Sequence, residues 1–278
     1  MRQSVLTRLR GDRIVVGLSL MVVAALEACA LLAPILPLAN PLAQDLANTL
    51  ALPDTAHPLG TDSLGRDVLS RIIWGSRYSL LAGLVPVALA LTVGTVAGLI
   101  SGYLGGPIDR VFVFVADFLF SLPYFVIALI IVAILGPDLV NALIAIAIGL
   151  VPSFIRLTRA SVLGLKNSPF VLACRAMGMG TPRILFVHVL PNIVSPLMVF
   201  ATIKVGESIL AVAALSFLGL GAQPPTPEWG LMLNSARELI LSAPEAVFYP
   251  SLALTITVLA VNLLADALRD RLDPKYQF

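Results

Sequence analysis

Apolar residues recur along this chain in long unbroken runs, at neither the period of an amphipathic surface helix nor that of a half-buried strand. Six runs approach or exceed the ~20 residues needed to cross the roughly 30 Å hydrocarbon core of a bilayer. They are Ile14–Leu38, Tyr78–Tyr103, Val111–Leu135, Leu139–Arg156, Ile193–Gly221 and Phe248–Leu268. None shows the polar alternation of a barrel strand. Helices satisfy their own backbone hydrogen bonds in lipid, so they are the spanning element expected. Three longer connections separate the runs, at 39–77, 157–192 and 222–247, with an N-terminal segment 1–13 and a tail 269–278 outside them. The chain shows no internal repeat, low-complexity tract or separate soluble domain. The expectation is an all-α integral membrane protein with one domain, 14–268, of six transmembrane helices.

Composition agrees with this reading and excludes a soluble globular fold. Apolar residues make up 58% of the chain and charged residues 12%, and mean hydropathy is +0.96. The small net charge of +2 hides an asymmetry that sets orientation. With the amino terminus inside, Arg2, Arg8, Arg10, Arg13, Arg110, Arg156, Arg159, Lys166, Arg175, Arg183, Arg269, Arg271 and Lys275 are cytoplasmic, against Arg66, Arg71, Arg77 and Arg237 outside. By the positive-inside rule both termini then face the cytoplasm, 39–77 and 222–247 are external, and 157–192 is cytoplasmic. The first run is longer than a signal-peptide core and lacks a small-residue cleavage site, so it reads as a retained helix. Cys29 in a span and Cys174 in a cytoplasmic loop are not expected to pair.

The cytoplasmic connection is the most legible stretch. In NSPFVLACRAMGMG, Ser168 suits a helix N-cap, Pro169 the first helical position, and Gly178 the left-handed residue that closes a helix. A helix this short is not stable alone in water, so it must dock on something. Its Phe170, Ala173 and Met177 share a face. The plainer reading is an amphipathic connector resting on headgroups. In the following TPRILFVHVLPN, Thr181 reads as a second cap and Pro191 as the turn into the fifth span.

Here the sequence resembles the permease subunits of ATP-binding-cassette importers for dipeptides, oligopeptides and nickel. Those carry a cytoplasmic loop of the form EAA, three residues, Gly, nine residues, I-x-L-P. Gly178, Leu190 and Pro191 take the Gly, Leu and Pro, and Ala173 the first Ala; Leu172, Cys174 and His188 replace the Glu, the second Ala and the Ile. HVLPN at His188–Asn192 looks like the H-x-L-P-N ending of the peptide branch. His57–Leu80 and Leu215–Leu233 narrow the likeness to the C-type subunit of the dipeptide permease.

The resemblance implies a type I importer permease fold in a bacterial inner membrane, with Phe170, Ala173, Cys174, Met177, Gly178, Leu190 and Pro191 forming a coupling element. It implies a homologous B-type permease, two ATPase subunits that bind ATP and Mg, an extracytoplasmic substrate-binding protein and surrounding lipid as partners, and no nucleic acid. The solute is a di- or oligopeptide, with nickel, glutathione or another small solute as alternatives.

The residues themselves point away from enzymatic chemistry. Lys166, Lys204 and Lys275 follow Leu165, Ile203 and Pro274, so no Gly-Lys of a phosphate-binding loop exists. His57 and His188 fall on opposite sides of the membrane and neither sits in a metalloprotease motif. No cofactor or metal is expected on this chain. A self-powered secondary transporter is the rival, because ionisable groups inside spans often mark ion pathways. Candidates for a pathway or gate are Glu27, Asp117, Lys204 and Glu207, with Lys204 and Glu207 placed to neutralise each other at i and i+3. Asp117 and Asp266 lie near span ends, and Glu27 is expected to face another helix or a cavity. Gly94 and Gly98 form a G-x-x-x-G that permits close helix contact. Trp74 and Trp229 read as interface anchors.

Overall fold

A computed structural model describes residues 2–272, and side chains from 17 to 270. The charges of Arg2, Arg8, Arg10, Arg13, Arg271 and Lys275 lie outside the side chains so described. Apart from one isolated bridge, Thr61 to Asp67, the described residues are helices and loops. The helices are α1 (Arg2–Leu32), α2 (Val68–Leu104), α3 (Gly106–Phe120), α4 (Tyr124–Leu135), α5 (Leu139–Leu165), α6 (Pro169–Ala176), α7 (Thr181–Phe217), α8 (Trp229–Ala236) and α9 (Glu245–Leu272).

Four of these, α2, α5, α7 and α9, are long and apolar enough to span a membrane, and α3 with α4 makes a fifth span if the bent pair is one. The apolar part of α1, Gly17–Leu32, is shorter.

Several expected boundaries move. Residues 111–135 are not one helix: α3 and α4 meet at 86°. Pro123 has no N–H to continue the ladder and disfavours helical geometry at Leu122, so the chain unwinds over Ser121–Pro123. The second span begins at Val68, ten residues earlier than expected, because Asp67 accepts the Ser70 N–H at 2.7 Å and caps the helix. Thirty-seven residues rise about 55 Å, so α2 reaches well beyond the hydrocarbon core. The fourth span runs on to Leu165.

The fifth span starts at Thr181, and Pro191 lies inside it instead of turning into it. The helix tolerates this proline by widening into a π turn over Ile184–Val189, where the Leu190 N–H donates to Leu185 O, five residues back. The wide turn relieves the clash between the Pro191 ring and the carbonyl four residues earlier.

The core runs along α5, with Ile146, Leu150, Phe154 and Val162 buried against α2, α4 and α7. Among the described residues the α2–α5 contact is the most extensive. It depends on Gly94, Gly98 and Gly102, one helical turn apart on α2. A Cβ at Gly98 would lie 2.6 Å from Thr158 Cβ and 2.7 Å from Ile155 O, and one at Gly94 would lie 2.4 Å from Phe154 Cβ. The expected G-x-x-x-G is therefore a close contact within this chain, extended by one more glycine. α7 also packs on α2, where the Ser208 hydroxyl donates to Ala82 O at 2.7 Å. α1 packs on α2 and α9.

Candidate coupling helix and polar membrane face

The short helix between α5 and α7 forms with the expected bounds at its start. Pro169 opens α6 and Ser168 holds the N-cap position, but the Ser168 hydroxyl turns back to donate to Leu165 O at 2.6 Å and does not cap. The C-terminus closes as a full Schellman motif. Gly178 has φ +73°, its N–H donates to Arg175 O at 2.9 Å, and the Met179 N–H reaches Cys174 O at 3.1 Å. A Cβ at Gly178 would meet nothing within 4 Å, so the requirement for glycine there is one of backbone conformation alone. Gly180, not Thr181, holds the N-cap position of α7; Thr181 and Pro182 are its first two residues.

α6 has two faces. Val171 and Cys174 are buried in the bundle core, whereas Phe170, Leu172, Ala173 and Met177 are exposed, Met177 at 67%. Cys174, grouped with the coupling residues from sequence, thus faces inward and anchors the helix. Leu190 is half-buried and Pro191 exposed, both one helix further on in α7. Polar contacts bind this end of the bundle together. The Arg175 guanidinium lies 4.7 Å from the Tyr103 ring centroid and donates to the Tyr103 hydroxyl at 3.0 Å. Arg159 grips Asp109, which also accepts the Ser101 hydroxyl. α6 is thus joined to α5 and α7 through short turns and to α2 through Arg175 and Tyr103.

A second set of groups sits inside the helices. Lys204 Nζ and Glu207 Oε2 on α7 are 2.6 Å apart, the pairing expected from their spacing, and Lys204 also lies 5.2 Å from the Phe200 ring centroid. Asp117 on α3 pairs with Arg156 on α5 at 2.5 Å, with the guanidinium 4.2 Å from the Phe120 ring centroid beside the α3–α4 break. The Glu207 side chain is 40% exposed and that of Asp117 55%. Glu27 is exposed on α1 and not turned toward another helix of this chain. Asp266 is exposed on α9.

The sequence did not reveal α8 or its cap. Trp229, expected as an interface anchor, is fully buried, and its indole N–H donates to Ile72 O at 3.0 Å. Glu228 is equally buried and accepts the Gly230 and Leu231 N–H groups at 2.9 Å each. The Ser79 hydroxyl approaches it from α2 at 3.5 Å. Only the position of Glu228 just before an apolar octet hinted at a cap.

A bundle of long apolar helices with a short surface helix offered outward, and an exposed Lys204–Glu207 pair on one of the long helices, has the build of a membrane permease subunit. Residues 94–278 match the family model of the binding-protein-dependent transport system inner membrane component, and the chain belongs to that family. It is 49% identical over 223 residues to the glutathione transport system permease protein GsiD of Pectobacterium atrosepticum, covering 80% of this chain and 74% of that one. It is 45% identical over 256 residues to the dipeptide transport system permease protein DppC of Alkalihalophilus pseudofirmus, covering 92% and 84%.

The di/tripeptide permease protein DppC of Pseudomonas aeruginosa is 51% identical over 217 residues, covering 78% and 72%. Among solved structures, the inward-facing MetNI methionine ABC transporter shares the fold, with a TM-score of 0.59 at 17% identity, covering 74% of this chain and 97% of that one. The chain is thus a multi-pass inner-membrane permease component of an ABC importer, with the type I importer fold. It is not catalytic; ATP hydrolysis belongs to a separate subunit.

Proposed function

We propose that this chain forms half of the translocation path of an importer for short peptides, spanning the membrane six times with α6 and both termini on the cytoplasmic side. A homologous B-type permease supplies the other half. Two ATPase subunits, binding ATP and Mg, sit beneath, and an extracytoplasmic binding protein delivers the solute. The observation that carries the reading is α6: a Schellman-closed helix with Val171 and Cys174 anchored inward and Phe170, Leu172, Ala173 and Met177 left open for the ATPase. ATP-driven movement of that helix tilts α5 and α7 and alternates access to the path.

Lys204 and the partly exposed Glu207 are assigned to the path because charges at membrane depth are too costly to face lipid, and Asp117, near the end of its span, to the mouth of the path; Glu27 faces a partner or the path. Relatives named for dipeptides, di/tripeptides and glutathione all support a short peptide as solute.

The test uses the full complex reconstituted with its binding protein. Gly178→Val, which forces a β-branched residue to positive φ, lowers peptide-stimulated ATP hydrolysis and peptide uptake together while the complex still assembles. Unchanged stimulation would remove α6 from the coupling role. Competition between labelled dipeptide and glutathione separates the two peptide readings, and uptake by this chain alone under a proton gradient without ATP would favour a self-powered transporter.

A further inference from the structure

Just past the end of α1, at the end of the bundle opposite α6, the chain runs beside the first turns of α2 and leaves an open groove of about 430 Å³, a volume in the range of small-molecule sites. Pro34, Leu36 and Pro41 line it from one side, Trp74 and Tyr78 on α2 from the other, and Pro227 of the loop before α8 completes the lining. The wall is held by the protein itself. The Ser70 hydroxyl donates to Ala39 O at 2.5 Å, Arg71 Nη1 to Pro41 O at 3.0 Å, and the Leu42 N–H to Asn40 Oδ1 at 2.9 Å. The groove therefore does not depend on an occupant for its shape.

Its level and its charge decide what fits. The apolar part of α1 ends at Leu32, and Trp74 and Tyr78, one turn apart on a helix that outreaches the hydrocarbon core, are the residue types that settle at the boundary of lipid and water. Both are partly exposed, and neither the Trp74 indole N–H nor the Tyr78 hydroxyl is hydrogen-bonded among the described residues. Arg77 is exposed, and its guanidinium lies 5.5 Å from the Trp74 ring centroid. The other arginines at this end have carboxylates beside them, Arg66 and Arg71 at Asp62 and Arg237 at Glu238. Arg77 alone has none among the described residues. An apolar slot, two free donors and an unmatched cation at the lipid boundary call for an amphiphile whose negative charge sits next to its tail. A zwitterionic headgroup brings its own ammonium toward Arg77 and gains less.

We infer that this groove is a binding site for one anionic phospholipid, with an acyl chain between the Pro34–Pro41 segment and α2, the phosphate on Arg77, and the ester oxygens facing Trp74 and Tyr78. In the orientation proposed above the lipid comes from the outer leaflet. The site itself stands without that orientation and without the peptide reading.

The test uses the complete transporter in phosphatidylcholine vesicles that carry a trace of either phosphatidylglycerol or phosphatidylcholine with a photoactivatable diazirine on one acyl chain, the labelled residues being mapped by mass spectrometry. At the groove, label from the phosphatidylglycerol probe should exceed that from the other about fivefold, the scale of one basic residue near an anionic lipid. On the exposed face of α9 at Leu252 and Ile256 the two probes should label equally. Arg77→Gln should abolish the excess and Arg77→Lys keep most of it. Leu36→Trp, which fills the slot, should lower label from both probes. Equal labelling of the groove by the two probes, or an excess that survives Arg77→Gln, overturns the site. So does displacement of the label by inorganic phosphate alone, or a groove left unlabelled because the companion permease covers it. None of these results bears on solute or on coupling to the ATPase.

Discussion

Arg159 and Asp109 meet in a two-point ion pair across α5 and α3, Nε to Oδ1 at 2.6 Å and Nη2 to Oδ2 at 2.7 Å. Lysine cannot reproduce that fork. Arg159→Lys should cost about 1 kcal/mol and Arg159→Ala about 2 kcal/mol, the scale of hydrogen bonds to charged groups in a partly exposed pair. Unfolding of single variants and of the double variant with Asp109→Asn measures the coupling. Additive losses would show the pair to be energetically idle.

The α2–α5 contact predicts opposite outcomes for two glycines. Gly98→Ala places a Cβ inside Thr158 and Ile155 and should destabilise by about 1–3 kcal/mol through overpacking. Gly164→Ala, on an open face of α5 with nothing within 4 Å of the new Cβ, should be neutral or stabilising by about 0.5–1 kcal/mol. Equal midpoints for the two variants would contradict the packing described.

Burial pushes the Glu228 carboxyl above the ordinary carboxylate range, against the opposing bonds from the Gly230 and Leu231 N–H groups and the Ser216 and Ser79 hydroxyls. The folded protein then keeps a proton that the unfolded chain has released. The associated stability is fully present below the ordinary carboxylate range and is lost as pH rises through the raised value. Midpoints measured across that window should fall with a steeper slope in the native protein than in Glu228→Gln. Parallel slopes would show that the carboxyl does not titrate between the two states.

Because the Gly178 requirement is one of φ and not of space, substitutions there should rank by their tolerance of the left-handed region. Asn keeps most of the coupling, Ala costs about 1 kcal/mol, and β-branched Val costs more. The readout is the ratio of peptide-stimulated to basal ATP hydrolysis in the reconstituted complex. An order set by side-chain volume would point to a contact with the ATPase instead.

Features that depend on neighbours in sequence were legible. The apolar runs announced the helices, Gly94 and Gly98 announced the close contact, Ser168–Gly178 announced α6, and Lys204 and Glu207 announced their own pairing. What escaped depends on distant partners or on a single residue inside an apolar window. Averaged over 111–135, hydropathy does not register that Pro123 breaks the helix. Trp229 read as an interface anchor, and Glu228 drew no reading at all, because their partners Ile72 and Ser79 lie some 150 residues away. Arg175 could not be assigned to Tyr103 from spacing.

The exposed pair Lys204–Glu207 also bears on how the proposed importer would be made. A copy inserted without the proposed companion permease would leave these two charges against hydrocarbon, a state disfavoured until assembly covers them. In that importer the cost of leaving the pair uncovered would itself favour matched numbers of the two halves.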